Sequence, residues 1–134
     1  DLVLVHPQSL SLSETENDAS EVCKILDKSR DTIIIKGNKD KNFEILYNTW
    51  KNLETRANVK IYQNVEKENF IQLLANCERF ITNSSCAFYE APFFLHHNQI
   101  IKVGRRNKNR EIANYTLDDI RSSRKIVEYI SEKV

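Results

Sequence analysis

The stretch TIIIKGNKDKNFEILYNTWKNLETRANVKIY, running from Thr32 to Tyr62, holds one complete strand–helix–strand unit. Thr32–Lys36 is β-branched and apolar throughout, which suits a strand buried on both faces. Gly37-Asn38 ends it as a turn. From Phe43 to Glu54, Ile45, Leu46, Trp50 and Leu53 recur at helical spacing and predict an amphipathic helix with that face inward. Val59–Tyr62 then resumes a short apolar run. Two such strands joined by a helix pair in parallel, because a parallel connection needs a crossover of about a dozen residues or more.

The same alternation extends outward in both directions. Leu2–Val5 reads as a buried strand stopped at His6-Pro7, since the residue before proline is biased toward extended geometry. Between Thr15 and Ser29, Ala19, Val22, Cys23, Ile25 and Leu26 fall on one helical face. Downstream, Phe70, Ile71, Leu73, Leu74 and Ala75 predict a helix, and Arg79–Thr82 a strand. Ser84 or Ser85 can cap a helix to about Leu95, Gln99–Val103 is a strand closed by Gly104, and Leu117–Glu132 is a final helix. The prediction is an α/β chain: a Rossmann-like, doubly wound parallel sheet in three α/β/α layers, forming a single domain over residues 1–134.

Composition removes whole classes of function. The 134 residues carry 20 Lys+Arg against 19 Asp+Glu, so no global charge draws the chain to nucleic acid or an anionic membrane. No apolar run approaches a membrane span, and nothing near the start reads as a signal peptide. Cys23, Cys77 and Cys86 are an odd, widely spaced set without C-x-x-C, as expected of reduced thiols in a cytoplasmic protein. The two glycines, Gly37 and Gly104, are too few for G-x-G-x-x-G or a P-loop, so a phosphate site here must use a helix N-terminus without glycines. No cysteine or carboxylate stands at metal-ligand spacing near His96-His97, and no metal or other cofactor is predicted. With no Met and an apolar run directly after Asp1, the sequence reads as an excerpt of a longer chain.

Open α/β sheets bind ligands beyond the C-terminal ends of their strands. That rule selects His6, Lys36-Gly37-Asn38, Gln63-Asn64, Asn83-Ser84-Ser85 and the residues from Gly104 onward. In ITNSSCAFYEAP (Ile81–Pro92), Ser84 and Ser85 stand where strand becomes helix, so hydroxyls and the following N–H groups can converge on a phosphate. Glu90 lies about one turn further on, where its carboxylate can accept from sugar hydroxyls. Pro92 falls inside the helical stretch and must kink or end it. A plain reading is also available: serine as an ordinary cap, glutamate as a solvated residue, proline as a stop. In VGRRNKNRE (Val103–Glu111), Arg105, Arg106, Lys108 and Arg110 can clamp a diphosphate, or form a solvated charge run. The loop lacks the interleaved aromatics of an RNA surface. His6 is either a buried, satisfied histidine or one that faces a ligand.

In their order and spacing, LVLVHP, ITNSSCAFYEAP and QIIKVGRRNKNRE resemble the C-terminal half of UDP-N-acetylglucosamine 2-epimerases, most closely the hydrolysing branch. The matching motifs are His6-Pro7, Asn83-Ser84-Ser85 with Glu90-Ala91-Pro92, and the loop Val103 to Glu111. Asn107 and Asn109 stand where the family has Gln and Gly. The resemblance implies the C-terminal domain of a two-domain GT-B-type protein, with a UDP-sugar in the interdomain cleft and an N-terminal domain that is not in this sequence. It implies that Ser84 and Ser85, with Asn83, hold the diphosphate. Glu90 would bind the ribose hydroxyls, Arg106 with Arg110 in the same loop would meet phosphate, and the turn Tyr62 to Val65 would contact uracil through backbone. His6 would face phosphate and sugar and take part in the chemistry. The implied reaction eliminates UDP and hydrates the glycal with inversion at C2, giving N-acetylmannosamine; the acid–base carboxylates it needs come mainly from the other domain. The alternatives are the donor domain of a GT-B glycosyltransferase and a non-catalytic nucleotide-sugar module. Oligomeric state is left open.

Overall fold

Among the described residues five strands and three helices carry the alternation: β1 (Leu2–Leu4), α1 (Leu12–Ile25), β2 (Thr32–Ile35), α2 (Phe43–Leu53), β3 (Val59–Tyr62), α3 (Lys67–Asn76), β4 (Phe80–Thr82) and β5 (Ile100–Lys102). The structure is a computed structural model that describes residues 1–8, 11–37, 39–85 and 89–104. The helix expected over Leu117–Glu132 lies outside those residues.

All strand pairs are parallel, in the order β3-β2-β1-β4-β5. Val3 stands between Ile34 and Ile81, so β1 is central. Alternation along the strands divides the core into two layers. Val3, Val5, Ile34 and Ile81 face α1 and α2 through Ala19, Val22, Leu46, Trp50 and Leu53. Leu2, Ile35, Phe80 and Ile100 face the other way, against Leu74 of α3 and Ala91 and Leu95. Strands buried on both faces lose the polar/apolar alternation of a half-exposed sheet, and this produces the uninterrupted apolar runs in the sequence.

Helix α1 begins earlier than its apolar spacing suggests. Ser11 accepts from the Glu14 amide through its hydroxyl (3.2 Å), a cap that starts the helix at Leu12. Its buried stripe is Thr15, Asp18, Ala19 and Val22. Cys23, expected on the inner face, is exposed instead. The helix is rotated so that two polar residues enter the stripe, and each finds hydrogen-bond partners there.

A second correction concerns the segment after β4. The continuous helix expected to about Leu95 is replaced at Ala91–Phe93 by a 3-10 turn with Pro92 in its first positions. Proline donates no N–H and clashes with the preceding turn, so it is tolerated only where a helical segment starts. Pro92 and Ala91 are buried, and the turn seats Leu95 on the sheet.

At the opposite end of the strands the buried Asp1 carboxylate binds Arg30 and Arg79. These two residues precede β2 and β4, so the pairings tie together the entries of the three central strands. Among the described residues no helix is long and apolar enough to cross a membrane.

Candidate functional site

Successive strands step one way across the sheet from β1 to β3 and the other way from β4 to β5, and the crevice beyond the C-terminal ends of β1 and β4, where the order switches, is where such a sheet accepts a ligand. The residues leaving these two strands are His6 and Asn83-Ser84-Ser85. His6 and Asn83 are 77 positions apart in sequence and in direct contact here. His6 N–H donates to Asn83 Oδ1 (2.7 Å), and Asn83 Nδ2 donates to the His6 carbonyl (2.7 Å). The Asn83 side chain thus grips both backbone groups of His6, continuing the β1–β4 ladder one step past the strands. It is fully buried, and Nδ2 also donates to Asp18 Oδ2 (3.1 Å).

The Thr82 hydroxyl reinforces the same junction. It donates to the Leu4 carbonyl (2.6 Å) and accepts from the Ser84 amide (2.9 Å). Ser84 is buried and Ser85 exposed. Residues 86–88, on which the expected helix start and Cys86 fall, lie outside the described residues. Glu90 is half-buried beside the 3-10 turn.

The loop after His6 is fastened just as tightly. Pro7 is buried, and the Gln8 amide donates to Thr15 Oγ1 (2.8 Å). The Gln8 carbonyl accepts from Asn42 Nδ2 (2.9 Å). Asn42 adopts a left-handed φ of 74° at the start of α2, a conformation that asparagine tolerates better than most residues. Gln8 Nε2 donates to Asp18 Oδ2 (3.1 Å). The Asp18 carboxyl is therefore shared by the loops after β1 and β4. Burial raises its pKa above the ordinary carboxylate value, while the bonds from Gln8 and Asn83 pull it back down.

The loop after β5 joins them. Gly104, with φ +76°, packs directly on the Asp18 carboxyl, and its amide donates to Glu21 Oε2 (2.9 Å). The Val103 amide donates to the Thr82 carbonyl (2.9 Å). Arg105, Arg106 and Arg110 follow immediately in sequence and lie outside the described residues.

A cavity of about 260 Å³ opens beside His6, lined by Leu4, His6, Ile35, Gly37, Asn64, Val65, Lys67 and Phe70. It lies beyond the ends of β1, β2 and β3. The Tyr47 hydroxyl holds two neighbouring loops together, donating to the Gly37 carbonyl (3.0 Å) and accepting from Gln63 Nε2 (2.7 Å). A larger cleft of about 970 Å³ runs between α3 and the sheet, from Tyr62 and Asn64 to Arg30 and Glu78 at the strands' starting ends. Size favours the cleft. The smaller cavity alone of the two has His6, the residue that leaves β1 toward the switch point, in its wall.

Of the residues selected from the sequence, His6, Asn83 and Ser84 come together, and Val65 shares the cavity with His6. Tyr62 lines the large cleft and is exposed. Sequence reasoning missed Asp18, Gln8 and Lys67. Asp18 left one signal: it lies four residues before Val22, on the helix face that must be buried.

The family of UDP-N-acetylglucosamine 2-epimerases matches residues 1–134, the whole chain. The chain belongs to that family. It is 30% identical over 115 residues to a GDP/UDP-N,N'-diacetylbacillosamine 2-epimerase (hydrolyzing) of Campylobacter jejuni subsp. jejuni serotype O:2. The aligned region covers 81% of this chain and 29% of that protein, so this epimerase-family chain spans less than a third of its relative's length.

Proposed function

We propose that this chain is the UDP-binding part of a hydrolysing UDP-N-acetylglucosamine 2-epimerase, with the architecture of a GT-B C-terminal domain. The observation that carries the reading is the meeting of His6 with Asn83-Ser84 at the strand-order switch, beside a cavity bounded by Val65. The Campylobacter relative, a hydrolyzing GDP/UDP-N,N'-diacetylbacillosamine 2-epimerase, supports the same reaction class.

In this reading uracil enters the cavity beside Val65, and the diphosphate lies across the ends of β1 and β4, near Ser84 and Ser85. Glu90 takes the ribose hydroxyls, and Arg106 and Arg110 approach from the loop after Gly104. UDP departing from C1 gains negative charge, and fixed donors with a guanidinium stabilise that charge as it develops. His6 is held by both of its backbone groups, which fixes the point from which its ring would reach the phosphates. The carboxylates that move the C2 proton belong to the rest of the parent protein, in a partner domain across the cleft.

Titration of UDP into the isotopically labelled chain tests the reading. A dissociation constant on the order of 0.1–1 mM is expected, about −4 to −5.5 kcal/mol, because one wall of the cleft buries the nucleotide incompletely. Ser85→Ala and Arg106→Ala should each weaken binding by roughly ten- to a hundredfold, the loss of one charge-assisted hydrogen bond. Affinities within twofold of wild type for both variants would remove the phosphate assignment. With UDP-N-acetylglucosamine the chain alone should release no N-acetylmannosamine; steady release would place the acid–base groups here instead.

A further inference from the structure

Among the described residues Asp1 and Asp18 have buried carboxyl groups, and the two differ in their company. Asp1 is paired with two guanidinium groups. Among the described residues Asp18 has no cationic partner; it meets two amides and a glycine, and the other charges acting on it are Glu21 and Glu14 of its own helix. An acid buried among neutral groups and like charges lowers stability relative to a neutral side chain of the same shape. Its burial is accounted for by what it holds.

Asn83 can grip His6 only one way round. Its oxygen must meet the His6 N–H and its nitrogen the His6 carbonyl. A flipped amide would set nitrogen against N–H and oxygen against carbonyl. Asp18 Oδ2 accepts and does not donate when ionised, and it receives the second proton of Asn83 Nδ2, so the flipped state also places oxygen against a carboxylate. The same oxygen receives Gln8 Nε2, two residues past His6. One buried carboxylate therefore brackets His6 from along the chain and from across the sheet.

We propose that Asp18 is a positioning residue for His6 at the nucleotide site, acting through the amide orientation of Asn83. The proposal rests on the functional reading above only in assigning His6 to the nucleotide. The rigidity it predicts is a property of the unliganded chain.

Amide hydrogen exchange followed by NMR in the full chain separates the two. Asp18→Ala should raise the exchange rate of the His6 amide by about tenfold or more, leaving Val3 and Ile81 in the strand centres within about twofold. The same variant should weaken UDP binding by about fivefold, as the site loses its fixed geometry. Asp18→Asn keeps an acceptor oxygen for Asn83 and should restore most of the His6 protection. A merely structural role would accelerate Val3 and Ile81 together with His6, and that result, or an unchanged His6 amide, overturns the proposal. Unchanged UDP affinity in Asp18→Ala overturns it too. If wild type binds no UDP, the functional reading fails and the exchange measurements still decide the clamp. Should Asp18→Ala not fold, wild type supplies the decisive measurement: both Asn83 side-chain amide protons must exchange slowly, and rapid exchange of either ends the argument.

Discussion

Replacing Gly104 by alanine should lower the unfolding free energy by about 2–5 kcal/mol, a large part of the ~5–15 kcal/mol that holds a domain together. Two costs add. Gly104 sits at φ +76°, where a side-chain-bearing residue pays about 1–2 kcal/mol. A Cβ would also overlap the Asp18 carboxyl, lying 2.7 Å from Cγ and 2.8 Å from Oδ2. Neither side can yield cheaply. The Gly104 amide is bonded to Glu21, and Asp18 is held by Gln8 and Asn83. Displacing Asp18 leaves buried donors unmet, at roughly 1–3 kcal/mol. Urea unfolding of Gly104→Ala and of the Gly104→Ala/Asp18→Ala pair measures both parts. Measured against Asp18→Ala alone, where the donors of Gln8 and Asn83 are already unmet, Gly104→Ala in the pair should carry the backbone cost without the overlap. A single-variant loss below about 0.5 kcal/mol would refute the close packing of the β5 loop on α1.

Trp50→Ala should cost about 3–5 kcal/mol, whereas Trp50→Phe should cost less than about 1.5 kcal/mol. Trp50 is fully buried in the layer shared by α1, α2 and the sheet, and alanine leaves a cavity there that rigid strands cannot close. Its indole Nε1 is buried without a hydrogen-bond partner among the described residues. Phenylalanine gives up part of the volume but removes that orphan donor, and the two effects oppose each other. Trp50 is the one tryptophan of the chain, so unfolding of both variants must be followed by circular dichroism rather than by indole fluorescence. Equal losses in the two variants would show that the volume removed does not set the cost at this position.

The elements themselves were legible because their signals are local. Thr32–Ile35, Phe43–Leu53 and Val59–Tyr62 fall almost residue for residue where β-branching and helical spacing place them. Prediction failed where a polar partner decides. Ser11 starts α1 at Leu12, ahead of its apolar stripe, and the buried bonds of Thr15 and Asp18 turn the helix so that Cys23 faces water. Spacing counts apolar residues, and it has no means of registering an acid whose burial is made tolerable by amides from other loops.

The division at the site follows the same physics. From the sequence alone came the parallel α/β alternation, the rule that ligands gather past the strand ends, and His6, Asn83 and Ser84 as candidates. Each depends on residues within a few positions of one another. Tertiary structure alone decided that β1 lies beside β4, which brings His6 against Asn83 across 77 residues and sets Asp18 beneath them. Strand order results from which faces bury which helices, an energy summed over the whole sheet. No local stretch carries it, and the clamp on His6 exists only once that sum has been made.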